Sequence, residues 1–150
     1  MIDRERAWSK YVIDTNVIID TMQGIPEAAN FMEMVDANKS QSQSQILYSV
    51  VVEAELFSSH LLTEEDKIDL RQLLNIGEII DVDSEVALKA AELRSLSRKL
   101  YQRKMKLPDA LVAATAFLYS ATLVTRNIDD FKHLQEHGLR LRNPFDLITK

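Results

Sequence analysis

Two periods of hydrophobic patterning alternate along this chain. Short apolar runs at residues 10–14, 46–50, 78–82 and 121–125 have the length and composition of buried strands. The stretches between them show helical spacing. Residues 15–22 form the first predicted helix, closed by Gly24, and Ile25-Pro26-Glu27 opens a second that runs to about Asn38 with Phe31, Met34 and Val35 on one face. The polar run at residues 39–45 is a loop by composition and is too short to link two domains. The second strand passes into a helix that carries Glu55 and ends near His60. Thr63-Glu64-Glu65-Asp66 is an N-terminal helix signature, and Gly77 stops that helix before the third strand. Asp83-Ser84-Glu85 opens a long helix, Pro108 starts the next at its favoured first position, and a short helix at residues 127–134 follows the fourth strand, ahead of Gly138.

Strands alternating with helices predict an α/β fold, a three-layer sandwich with a central, mostly parallel sheet of four or five strands flanked by helices. In open parallel sheets the ligand crevice lies off the carboxyl ends of the strands, and Asp14 and Asn127 both fall where a strand hands over to the next helix. A length of 150 residues with 46% hydrophobic content suits one domain spanning 1–150. There is no apolar run of the roughly 20 residues needed to span a membrane, and the charged start, Met1-Ile2-Asp3-Arg4-Glu5-Arg6, leads into no signal-peptide core. A cytoplasmic location is the expectation. Cysteine is absent, so any metal must be held by oxygen or imidazole.

The net charge of −5 argues against nucleic-acid binding until its distribution is considered. From Arg94 to Lys106 the chain carries Arg94, Arg98, Lys99, Arg103, Lys104 and Lys106 with no acid among them. Setting these six charges apart from the net −5 leaves −11 on the remainder. The stretch belongs to the long predicted helix and its end, and it stops three residues before Asp109. It is either a phosphate-attracting surface or a solvated helix face.

Three carboxylates interrupt apolar sequence where core residues are expected: Asp14 in Val12-Ile13-Asp14-Thr15-Asn16, Glu55 in Val51-Val52-Glu53-Ala54-Glu55-Leu56, and Asp109 in Leu107-Pro108-Asp109-Ala110-Leu111. A carboxylate alone in low dielectric must gain a proton, find a cation or reach water. Three brought together need a hard cation with oxygen ligands. Each also has an ordinary structural reading. Asp14 can cap the first helix, and Asp109 can complement a helix dipole in a first turn. Glu53 and Glu55 lie about 200° apart around one helix, so only one can face a shared site, and periodicity does not choose between them.

These segments, together with Leu123-Val124-Thr125-Arg126-Asn127-Ile128-Asp129-Asp130-Phe131, resemble the four ordered motifs of PIN-domain nucleases, most closely the VapC-type toxins of toxin–antitoxin pairs. The resemblance spans about residues 10–146. It implies a metal-dependent endoribonuclease in which Asp14, Glu55 and Asp109 bind Mg²⁺ or Mn²⁺, and it favours Glu55 over Glu53. A metal so held activates water for attack on phosphorus, with no side-chain nucleophile. Thr15, Asn16 and Thr125 are then candidates for supporting hydrogen bonds or phosphate contacts, and Arg98, Arg103, Lys104 and Lys106 for RNA contacts. The family's fourth acidic position falls on Asn127, which is a neutral ligand or, with Asp130 as reciprocal partner, a helix cap. Asp129 or Asp130 is a candidate for the missing charge. The resemblance further implies an RNA substrate, a small antitoxin that covers the site, and a homodimer. Leu61, Leu62, Leu73 and Leu74 are candidates for a partner groove or for ordinary core.

Other readings are weaker. His133-Leu134-Gln135-Glu136-His137 spells an inverted zinc-peptidase pattern, but Gly138 follows at once and little chain remains for a third ligand, so a solvated surface pair is expected. A haloacid-dehalogenase-like phosphatase wants a second Asp two residues after the first, where this chain has Asn16. A non-catalytic binding module that uses the acidic rim for docking, and a PIN nuclease outside any toxin–antitoxin pair, are the remaining alternatives.

Overall fold

The computed structural model describes residues 9–38 and 44–146, so the amino-terminal segment and most of the polar loop at 39–45 lie outside the described residues. A five-stranded, wholly parallel sheet forms the centre, built from β1 (Lys10–Ile13), β2 (Gln45–Ser49), β3 (Glu78–Ile80), β4 (Thr122–Val124) and β5 (Arg140–Arg142) in the order β3-β2-β1-β4-β5. β1 is central, with Val12 beside Leu47 on one flank and Leu123 on the other. Both faces are covered, so Val12, Ile13, Ile46, Leu47, Tyr48, Leu123 and Val124 are all buried and the strands read as continuous apolar runs. The buried Tyr48 hydroxyl donates to the Leu73 carbonyl at 2.9 Å, which satisfies its polar end.

The helices are α1 (Thr15–Met22), α2 (Pro26–Asn38), α3 (Val50–Phe57), α4 (Glu64–Leu74), α5 (Ser84–Tyr101) and α6 (Leu107–Leu118). Side-chain caps start several of them. Asp14 accepts from Thr15 N–H, Ser49 from Val51 N–H and Asp83 from Val86 N–H, while Thr63 and Asp66 form a reciprocal capping box. α6 buries Ala110, Val112, Ala113, Ala114, Thr115 and Ala116, small side chains that let it lie close against the sheet and α5.

Several sequence expectations are corrected at the ends of elements. β1 stops at Ile13 and leaves Asp14 as a cap, while the second strand runs 45–49 because Ser49 caps α3 and Val50 is already helical. α3 ends at Phe57 and does not reach His60. On α2 the buried face is Ala28, Phe31, Met32 and Val35, with Met34 turned outward at 41% exposure. α5 ends at Tyr101 because Gln102 adopts a left-handed conformation (φ 54°), so Arg103, Lys104 and Lys106 lie in a connection and not on the long helix. The helix expected at 127–134 is instead two short 3₁₀ turns, Ile128–Asp130 and Lys132–His137, broken at Phe131. β5, which the sequence reading did not locate, is a charged Arg-Leu-Arg edge whose hydrophobic content is too low to signal a strand.

Candidate active site

The strand order reverses around β1: the chain moves outward through β2 and β3, then returns to β4 on the other flank. Ligand crevices form off the carboxyl ends of strands at such a switch point. Asp14 and Thr125, the residues that follow β1 and β4, meet there. Asp14 N–H donates to the Val124 carbonyl at 2.9 Å, which ties the two strand ends together. Its carboxylate is buried and accepts from Thr15 N–H at 2.9 Å, Thr125 Oγ1 at 2.8 Å and Asn16 Nδ2 at 3.2 Å. Burial raises its pKa and outweighs the opposing hydrogen bonds from Thr125, Thr15 and Asn16, while repulsion from Glu55 adds to the rise. The capping role and the site position are therefore two uses of one carboxylate.

Glu55 and Glu53 separate by orientation. Glu55 is exposed on the rim, where its Oε1 accepts from Thr15 Oγ1 at 2.7 Å. Glu53 turns away and pairs with Arg71 at 2.7 Å. Asp109 sits half-buried in the first turn of α6. Desolvation, then repulsion from Asp14, Asp130 and Glu55, pushes its carboxyl up to about 6 against a small opposing effect of Lys106. The three expected carboxylates thus share one rim and act on one another. Among the described residues none of them is ion-paired to a Lys or Arg. Nor, among those residues, do any three acidic or imidazole side chains stand close enough to ligate one ion as they are. The donors are all oxygen, without a Lys or Arg ion pair and mutually repelling, a set whose chemistry fits a hard divalent cation.

Next to Asp109 a cleft of about 230 Å³ is lined by Arg103, Lys104, Lys106, Asp130 and His133. Arg94 Nε donates to the Met105 carbonyl at 3.0 Å and Arg103 to the Asp129 carbonyl at 2.8 Å, bonds that fix the connection carrying these cations. Arg98 is exposed on α5 and does not line the cleft. Asn127 makes no side-chain cap, which corrects that expectation; its backbone N–H donates to Thr125 Oγ1 at 3.0 Å instead. Asp130 is the nearby acid felt by Asp109, whereas Asp129 pairs with Lys132 at 3.1 Å in solvent.

The histidine pair is also corrected. His133 is buried, with Nε2 2.8 Å from Ser97 Oγ, and only His137 lies at the surface, against the Tyr101 hydroxyl. In a 3₁₀ turn, not an α-helix, one ring is buried against Ser97 and the other lies at the surface, with both edge-on to Tyr101. Of the four leucines, Leu74 is core and Leu73 packs against it, while Leu61 and Leu62 line an apolar groove of about 370 Å³ with Ile19, Met22, Leu56 and Leu70, beside Glu55.

One pair went unassigned in the sequence. Asp20, buried on α1, accepts two bonds from Arg126, Nε at 2.8 Å and Nη2 at 3.2 Å. The signal available was a fourth acid within an apolar segment, two residues beyond Ile18, with no cation nearby in sequence.

The PIN-domain family model matches residues 11–136. Ribonuclease VapC2 of Rickettsia felis is 28% identical over 127 residues, which cover 83% of this chain and 91% of that protein. Among solved structures, VapBC2 from Rickettsia felis bound to a promoter DNA fragment superposes with a TM-score of 0.74 at 28% identity, covering 89% of this chain and 98% of the other. A toxin–antitoxin complex from Klebsiella pneumoniae gives 0.68 at 27% identity, covering 91% and 99%. The parallel order around β1, the acids at its switch point and a family match over most of the length lead to one conclusion: the chain belongs to the PIN-domain family.

Proposed function

We propose that this protein is a metal-dependent endoribonuclease acting as the toxin of a toxin–antitoxin pair, with Asp14, Glu55 and Asp109 as its metal-binding and catalytic acids. The observation that carries the reading is the shared rim: Thr15 links Asp14 to Glu55, and Asp109 is repelled by both. The Rickettsia felis relative is named a ribonuclease, and the Klebsiella pneumoniae neighbour is a toxin–antitoxin complex. PIN-domain ribonucleases of this type depend on a metal, and Mg²⁺ or Mn²⁺ suits an all-oxygen donor set.

Bound there, such an ion supplies a Lewis acid that lowers the pKa of water and neutralises charge developing on phosphate oxygens. Asp14 and Asp109 would be the principal ligands. Glu55, exposed on the rim, would ligate directly or through water and could orient a water for attack. Thr15, Asn16 and Thr125 hold the Asp14 carboxylate in place through their hydrogen bonds. Arg103, Lys104 and Lys106 along the adjoining cleft receive the RNA backbone, and Arg98, exposed on α5, is a further candidate contact outside the cleft. Asn127 contributes through its backbone, and Asp130 supplies the additional negative charge near Asp109. The apolar groove beside Glu55 is the surface on which a small antitoxin docks and covers the acids.

RNA cleavage by the purified protein with added Mg²⁺ or Mn²⁺ tests the reading, with EDTA and Asp14→Asn as controls. Cleavage that requires the metal and disappears in the variant is expected. Metal-independent cleavage, or full activity in Asp14→Asn, overturns it.

A further inference from the structure

We propose that Asp20 and Arg126 are positioning residues that clamp the turn after β4 and thereby aim the Asp14 carboxylate for metal binding. The inference rests on the metal-dependent reading of the site given above. Arg126 lies between Thr125 and Asn127, and its guanidinium makes the two-pronged bond to Asp20 on α1. Its backbone N–H donates to Asn16 Oδ1 at 2.9 Å, which leaves the Asn16 amide nitrogen directed at Asp14 and Thr125. Asn127 N–H donates to Thr125 Oγ1, and that hydroxyl spends its own proton on Asp14 Oδ2 at 2.8 Å. On the opposite side Thr125 N–H donates to the Arg142 carbonyl of β5 at 2.9 Å. The turn is therefore pinned from the sheet by β5 and from the helix layer by Asp20 and Asn16. The side-chain hydrogen bonds that reach the Asp14 carboxylate from this turn come from Thr125 and, through Asn16, from the Arg126 backbone, while Val124 holds only the Asp14 backbone.

Burial makes the clamp stiff. The Asp20 side chain is 9% exposed and the Arg126 side chain 47%. A carboxylate this buried and held by two parallel N–H bonds tolerates little angular freedom, unlike the Glu53–Arg71 pair, which has one bond and an acid 26% exposed. Electrostatics alone predicts the opposite of positioning when Arg126 is removed. Deleting a positive charge near a cation site, and uncovering the Asp20 carboxylate, both favour cation binding. Positioning predicts weaker binding, because the Thr125 hydroxyl and Asn16 amide lose their fixed directions and partners beyond the ligands typically change metal affinity by about 10–100-fold.

Mn²⁺ affinity of the RNA-free protein, followed by the paramagnetic resonance signal of free Mn²⁺, tests this directly. Arg126→Gln is expected to weaken Mn²⁺ binding about tenfold and to lower kcat with little change in KM for RNA. The double variant Asp20→Asn/Arg126→Gln removes both charges, strands neither, and is expected to weaken binding similarly, although its net charge is unchanged. Arg126→Lys keeps the charge and a single contact, guards against misfolding, and is expected to fall between. Arg71→Gln, which breaks an ion pair away from the site, should leave Mn²⁺ affinity unaltered. A clamp that only joins α1 to the turn would lower Tm and spare the affinity of the folded protein. Equal or tighter Mn²⁺ binding in the Arg126 variants overturns the proposal. A wild-type protein that binds no Mn²⁺ overturns the nuclease reading and the clamp with it, whereas wild-type binding with unaltered variants overturns the clamp alone.

Discussion

Asp109 carries the clearest consequence at the scale of single residues. Its carboxyl titrates near 3.8 in the unfolded chain and near 6 in the fold, so between those values the native state holds a proton that the unfolded state has released. The stability this contributes is full below about 3.8 and is lost as pH rises through about 6. At neutral pH the metal-free protein therefore keeps a charged, repelled carboxylate. Asp109→Asn is expected to abolish RNA cleavage yet raise Tm at pH 7.5 by roughly 2–4 °C, for about 1 kcal/mol in a chain of this size, and by less at pH 5. Thermal melts at the two pH values check the sign. Added Mg²⁺ should raise the Tm of the wild type and not of the variant. Glu53 and Glu55 give a second contrast. Glu55→Gln should remove most cleavage, whereas Glu53→Gln, which loses only a solvent-facing pair with Arg71, should retain cleavage and change stability by about 0–1 kcal/mol. Each acid is legible in the sequence because charge stands out in apolar surroundings. The choice of Glu55 came from motif order; its contact with Thr15, forty residues away, has no local trace.

At the scale of elements, local chemistry set most starts and the tertiary structure set several ends. Thr63 and Asp66 close a capping box that the sequence announces, and Thr63→Ala is expected to cost about 1 kcal/mol by denaturant unfolding. Gly77 was readable as a helix stop, but its second role was not. A Cβ there would lie 2.7 Å from the Ile46 carbonyl and from side-chain atoms of Ile46 and Tyr48, so β2 passes against the bare backbone. Gly77→Ala should destabilise by about 1–3 kcal/mol while leaving the helix content of the folded protein intact by circular dichroism. The basic stretch illustrates the opposite case. Composition marks it, but the left-handed turn at Gln102 takes Arg103, Lys104 and Lys106 off the helix and lays them along the cleft. His133 is similar: spacing drew it as a surface partner of His137, and a 3₁₀ turn buried it against Ser97.

Across the whole molecule, the reversal of strand order at β1 places the acids at the carboxyl ends of the strands, and the basic cleft adjoins Asp109. If RNA lies along that cleft, Lys104→Ala and Lys106→Ala should each weaken RNA binding and flatten the slope of log affinity against log salt by about 0.7, without changing the thermal stability appreciably. No helix among the described residues is long and apolar enough to cross a membrane, which agrees with the composition. The sequence by itself determined the α/β class, the alternation of elements, the caps that begin α1, α4 and α5, and the candidate acids Asp14 and Asp109, because each depends on periodicity or on chemistry within a few residues, whereas Glu55 was distinguished from Glu53 by motif order. Only the tertiary structure decided which acids face one another, where the cations of the 94–106 stretch point, that β5 exists, and that Asp20 reaches Arg126. Those outcomes depend on contacts between residues tens to more than a hundred positions apart, and the free energy that selects them comes from burial and pairing once the sheet has closed.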